Sequence, residues 1–150
     1  MEQQLALIKF IENLSAQLNK AYFIQPSIKI LFGDADKNHF EGACNVLYHR
    51  KDMYIAINLP WQQECTSKAT DLLICLLTHE YAHYIWALKL SSAERVVDTT
   101  RYLSDDQFRR NDEYRTWIHT RKMLRDLGYW NFAVKKACQT FLYSWTVKGQ

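Results

Sequence analysis

His79 and His83 lie four residues apart, with Glu80 directly after the first, in the run His79-Glu80-Tyr81-Ala82-His83. On a helix, residues i and i+4 share one face a turn apart, so both imidazoles can reach one metal ion. Zinc suits such a pair, and Glu80 then stands beside the metal as general base for a bound water. Catalytic zinc sites use three protein ligands and leave a position for water, so the chain must supply one more donor. Glu113 is the first choice. It lies near the start of a second strongly helical stretch, which can lie against the first and deliver a carboxylate. Asp112 beside it and His119 further along the same stretch are the alternatives. The longer pattern, in which a glycine and a third histidine follow, is absent: Trp86 and Lys89 hold those positions.

The segments around the motif must bury it. Leu72 to Leu77 before it and Tyr84 to Leu88 after it are almost wholly apolar, and no Gly or Pro occurs between Trp61 and Leu127. A helix over Lys68 to Lys89, capped by a loop containing Ser67 and Thr70, is therefore predicted to be central and buried on most sides. Two histidines and a glutamate inside it need partners, which a metal provides. The second helix runs from Gln107 to Leu127, with Gly128 at its C-cap. Its expected buried face holds Tyr114, Trp117, Ile118, Arg121, Leu124 and Leu127. Between these helices only a fragment at Ala93 to Val97 and a loop at Ser104-Asp105-Asp106 are legible. A last helix spans Trp130 to about Tyr143.

In the N-terminal part, Leu5, Ile8, Ile11, Leu14 and Leu18 recur at helical spacing from Glu2 to Lys20, predicting an amphipathic helix. Ser27 to Phe32 reads as a strand ending at Gly33. After a turn-rich stretch to Gly42, Ala43 to Tyr48 and Met53 to Asn58 flank the polar turn His49-Arg50-Lys51-Asp52 and read as a hairpin closed by Leu59-Pro60-Trp61. The expected fold class is α+β: an N-terminal helix, a small antiparallel sheet of about three strands, the buried motif helix, a ligand-bearing helix and a C-terminal helix.

A chain of 150 residues is long enough for one domain with a real core and short for two, so residues 1–150 are expected to form one domain. With 48% hydrophobic and 14% aromatic residues, disorder is excluded. The apolar runs are too short to span a bilayer, and the first residues lack the basic start and cleavage site of a secretory signal. A cytoplasmic location follows as the expectation, with Cys44, Cys65, Cys75 and Cys138 as reduced thiols. Cys75, one turn before His79, reads as a small core residue. The net charge of +3 is mild. Arg109, Arg110, Arg115, Arg121, Lys122 and Arg125 are interleaved with Asp105, Asp106, Asp112, Glu113 and Asp126, which favours a solvated helix face over a nucleic-acid surface.

The hairpin run Met53 to Asn58, the apolar approach to His79-Glu80-Tyr81-Ala82-His83 and the later Glu113-Tyr114-Arg115-Thr116-Trp117 resemble a small gluzincin. They are most similar to the ImmA/IrrE-like metallopeptidases and related phage-borne zincin domains, over roughly Ser27 to Gly128. The resemblance implies a zinc site of His79, His83 and Glu113, with Glu80 as base, hydrolysing peptide bonds in a protein or peptide substrate. In that reading an edge strand, Cys44 to Tyr48 or Met53 to Asn58, binds an extended substrate by strand addition. Tyr84, Tyr102 and His119 are the candidate second donors to the oxyanion. The rival expectation keeps the zinc and drops catalysis. The domain would then bind a partner protein, or nucleic acid through the Arg-rich helix, with Cys75 nearest to completing a closed four-ligand site. Glu80 favours the enzyme, because a structural zinc has no use for that carboxylate.

Overall fold

The computed structural model describes residues 2–33, 45–58 and 67–148. The expected turn-rich stretch 34–42, Ala43, Cys44, Leu59-Pro60-Trp61 and Cys65 lie outside the described residues. The elements are α1 (Glu2–Ala21), β1 (Lys29–Phe32), β2 (Asn45–His49), β3 (Tyr54–Asn58), α2 (Ser67–Leu88), α3 (Ser92–Ser104), α4 (Asp106–Asp126) and α5 (Phe132–Lys148). The fold is α+β, with five helices and one three-stranded sheet among the described residues.

The sheet is mixed, where an antiparallel one was expected. The hairpin forms as predicted, β2 antiparallel to β3, with Tyr48 opposite Ile55. β1, however, runs parallel to β3 on its other side, with Ile30 beside Ile55. The order β1-β3-β2 puts β3 in the centre. Ile55, Ala56 and Ile57 are each fully buried, so β3 is covered on both faces, as a central strand of successive apolar residues requires. This removes Met53 to Asn58 as a substrate-binding edge and leaves β2.

α2 is the centre of the molecule. Leu73, Cys75, Leu77, Thr78 and Tyr81 have no exposed surface, and α1, β2, α4 and α5 all pack on the helix. Ser67 and Thr70 lie inside its first turn rather than in a capping loop; the Thr70 hydroxyl donates to the Ser67 carbonyl at 3.0 Å. α1 presents Leu7, Ile11, Leu14 and Leu18 to the core, and the Tyr81 hydroxyl meets Ser15 at 2.6 Å. The expected Leu5 is exposed, and Leu7 replaces it in the buried stripe.

The segment after α2 is more helical than its sequence suggested. A capping box, with Glu94 N–H donating to the Ser91 hydroxyl and Ser91 N–H to the Glu94 carboxylate, starts α3. The expected loop at 104–106 shrinks to Asp105, whose side chain accepts from Phe108 N–H and caps α4. No residue of α3 is fully buried. α4 ends at Gly128, with φ +80. Gly128 N–H donates to Arg125 O at 3.1 Å and Tyr129 N–H to Leu124 O at 2.9 Å, a Schellman arrangement that needs the left-handed residue a glycine tolerates. The α4 face turned inward consists of Asp112, Glu113, Thr116, Trp117, Thr120, Met123 and Leu124. Tyr114 is exposed, while Ile118 and Arg121 lie at the margin. The expected face was thus rotated, because the polar residues along α4 are the ones that turn towards α2.

Candidate metal centre

α2 and α4 lie side by side, which brings His79, His83 and Glu113 together. One donor atom from each falls within 4.8 Å of the others. His79 Nε2 lies 2.9 Å from Glu113 Oε2, His83 Nε2 lies 3.2 Å from Glu113 Oε1, and the two Nε2 atoms are 3.2 Å apart. All three residues are buried. This cluster can hold a metal ion.

The surroundings favour that use of the nitrogens. The Thr120 hydroxyl donates to Thr116 O at 2.7 Å, so toward His79 Nδ1, at 3.2 Å, it offers only lone pairs. A metal on Nε2 would put the His79 proton on Nδ1, where Thr120 is placed to accept it; without a metal, a proton on Nε2 meets Glu113 Oε2 instead. The His79 ring stacks on Trp117 at 3.8 Å between centroids, and Trp117 stacks on Phe141 of α5 at 4.8 Å. These stacks fix the ring's plane. His83 Nδ1 faces Arg50 Nη2 at 3.2 Å, Thr116 Oγ1 at 3.5 Å and Asp112 Oδ2 at 3.6 Å.

Electrostatics separate the members of the site. Burial pushes the His79 pKa down to about 4, outweighing its hydrogen bond to Glu113, so it is neutral near pH 7. Burial alone would also lower His83, but hydrogen bonding to Glu113 and the charges of Glu113 and Glu80 carry it above its usual value. Burial would raise Glu113, yet its hydrogen bonds to both histidines hold it well below the ordinary carboxylate range. Glu80 is pushed up to about 7, mainly by burial and partly offset by His83 and by the Tyr48 N–H. That N–H donates to Glu80 Oε2 at 3.0 Å, so the side of β2 that pairs with no strand among the described residues faces the motif glutamate.

The alternatives to Glu113 do not join the cluster. Asp112 is buried but engaged, accepting from Arg50 at 2.5 Å and from Arg115 at 2.8 Å. His119 lies on the outer side of α4 beside Trp86, Lys89 and Arg115. Cys75 is buried against Cys138, to which it hydrogen-bonds, and forms part of the core. None of the three expected oxyanion donors is free here. Tyr84 gives its proton to Pro26 O at 2.9 Å, Tyr102 gives its own to Glu113 Oε1 at 2.6 Å, and His119 is elsewhere. Of the basic residues on α4, Arg109 and Arg110 both pair with Asp106, Arg115 with Asp112 and Lys122 with Asp126. The solvated face expected from the sequence forms in part: Asp106, Arg109, Arg110, Lys122 and Asp126 pair along the outside of α4, whereas Asp112 and Glu113 are buried. Among the described residues no helix is long and apolar enough to cross a membrane.

Sequence reasoning missed Arg50, Asp98, Thr116 and Thr120. The threonines carried a signal: they fall three and seven residues after Glu113, on its own helix face. Arg50 carried none, since it meets the site across 33 residues to His83 and 62 to Asp112. Compared with family models, with curated proteins and with solved structures, the chain matches none.

Proposed function

We propose that this chain is a zinc-dependent peptidase of gluzincin type, with His79, His83 and Glu113 as ligands and Glu80 as general base. The observation that carries the reading is the convergence of three donor atoms from two helices within 4.8 Å, with Glu80 adjacent on α2. Two imidazoles and one carboxylate form the three-ligand set of a catalytic zinc site, which keeps a position for water. Zinc bound there supplies a Lewis acid and brings the pKa of its water towards neutrality.

The chain's own groups do the rest. Glu80 retains some exposure, and a pKa near 7 lets it accept a proton from water and return it to the leaving amine. Tyr48 N–H anchors one of its oxygens, leaving the other for that proton. β2 is an edge of the described sheet, so an extended peptide adds there beside Glu80.

The test compares wild type with Glu80→Gln. Metal content is measured first, then cleavage of a denatured-protein digest by mass spectrometry. Near-stoichiometric zinc in both, with cleavage in the wild type alone, is the expected result. A wild type that takes up no zinc, or a glutamine variant that cleaves as well as wild type, overturns the proposal.

A further inference from the structure

We infer that Arg50 is the positioning residue of this metal centre: its guanidinium sets the metal affinity by fixing the groups behind both His83 and Glu113. This rests on the metal-binding reading and adds to it a residue with no place in the ligand set.

Arg50 sits in the turn between β2 and β3, yet its side chain reaches three helices. Nη1 donates to Asp98 of α3 at 3.0 Å. Nη2 donates to Asp112 of α4 at 2.5 Å and lies 3.2 Å from His83 Nδ1 on α2. The guanidinium carbon lies 3.5 Å from the centre of the Tyr102 ring, and the Tyr102 hydroxyl donates to the ligand oxygen Glu113 Oε1. One rigid fork therefore touches the partners of two ligands. Lysine, a point charge with no plane, cannot reproduce the stacking and the two divergent donations together.

The consequence follows from the histidine. With a metal on Nε2, His83 must carry its proton on Nδ1. Arg50 cannot accept that proton, whereas Asp112 Oδ2 and Thr116 Oγ1 can. The Thr116 hydroxyl is spent on Asp112 O at 2.7 Å, so it too presents lone pairs. Arg50 lies nearest Nδ1, at 3.2 Å, and holds the Asp112 carboxylate, whose side chain is only 2% exposed, 3.6 Å from that nitrogen, where it balances the guanidinium charge. On the other side, its stacking on Tyr102 holds the hydroxyl against Glu113. Partners of this kind orient ligands and tune affinity.

A charge argument predicts the opposite sign, which makes the inference easy to break. Arg50 is a cation behind a ligand, so as a mere charge its removal would tighten binding of a divalent metal. As a positioning residue its removal must loosen it.

The experiment titrates zinc into wild type, Arg50→Gln, Arg50→Lys and Tyr102→Phe against a competing chelator. Far-ultraviolet circular dichroism of each metal-free protein is recorded alongside, with the d–d spectrum of each cobalt-loaded form. Affinity about 10–100-fold weaker in Arg50→Gln, with lysine no better than partial rescue, is expected. The cobalt spectrum should also shift while the metal-free fold stays as in wild type. Tyr102→Phe keeps the stacking ring and should lose affinity through Glu113 alone, by less than Arg50→Gln. Should the Arg50 variants not fold, the phenylalanine variant decides alone: unchanged zinc affinity and cobalt spectrum there overturn the inference. Unchanged or tighter zinc binding in a folded Arg50→Gln also overturns it. A wild type that binds no zinc defeats the metal reading instead, a separate result.

Discussion

Thr120→Val replaces one hydroxyl by a methyl of nearly the same size, at a fully buried position. What it removes is the acceptor 3.2 Å from His79 Nδ1. The helix does not need that hydroxyl. With zinc on Nε2 the orphaned Nδ1–H costs about 1–3 kcal/mol, the penalty for a buried donor without a partner. For a chain of this length that corresponds to a melting point lower by about 2–12 °C. Without zinc the imidazole escapes that cost by carrying its proton on Nε2, where Glu113 Oε2 accepts at 2.9 Å. That tautomer has no lone pair for a metal. Zinc affinity should therefore fall about 10–100-fold, which is about 1.4–2.7 kcal/mol. Thr120→Ser keeps the hydroxyl and should stay within a few-fold of wild type. The assay is chelator competition at fixed pH, paired with thermal melts with and without zinc. A folded valine variant that binds zinc as tightly as wild type would refute the assignment of His79 Nε2 as a ligand atom.

Three other outcomes are expected. Glu113→Ala should abolish stoichiometric zinc binding while His119→Ala leaves it intact, because only the former lies in the cluster; equal losses measured by atomic absorption would reverse the assignment. Zinc affinity should weaken as pH falls, since proton and metal compete for the same nitrogen, by about tenfold per unit for one proton. The His83 pKa is raised above 6.5 and that of His79 lowered to about 4. The fall therefore begins above pH 6.5, and an affinity flat down to pH 5 would contradict it. Gly128→Ala forces a side chain into φ +80 and should destabilise the fold by about 1–2 kcal/mol without changing zinc affinity; denaturant unfolding reads the first and chelator competition the second.

Local pattern carried much of the fold. α1, α2, α4, α5 and the hairpin follow from apolar periodicity, from the absence of Gly and Pro across residues 61–127, and from the glycine at the end of α4. α3 was under-read because it buries no residue completely, and because the capping box that starts it, Ser91 with Glu94, was overlooked. The parallel placement of β1 could not be read at all. Strand direction within a sheet depends on how the chain crosses over, and a four-residue strand of one lysine and three successive apolar residues does not specify its sense.

The sequence by itself determined the pair of histidines, the glutamate between them and the central place of their helix. Spacing of four on an apolar helix dictates both the shared face and the burial. Only the tertiary structure decided the third partner, because Asp112, Glu113 and His119 lie on one helix and differ in direction. The packing of α4 on α2 turns Glu113 into the cluster, commits Asp112 to Arg50 and leaves His119 outside. Arg50 belongs wholly to that second kind of information. Its partners are 33 to 62 residues away, and no periodicity within a helix or strand encodes a contact across elements.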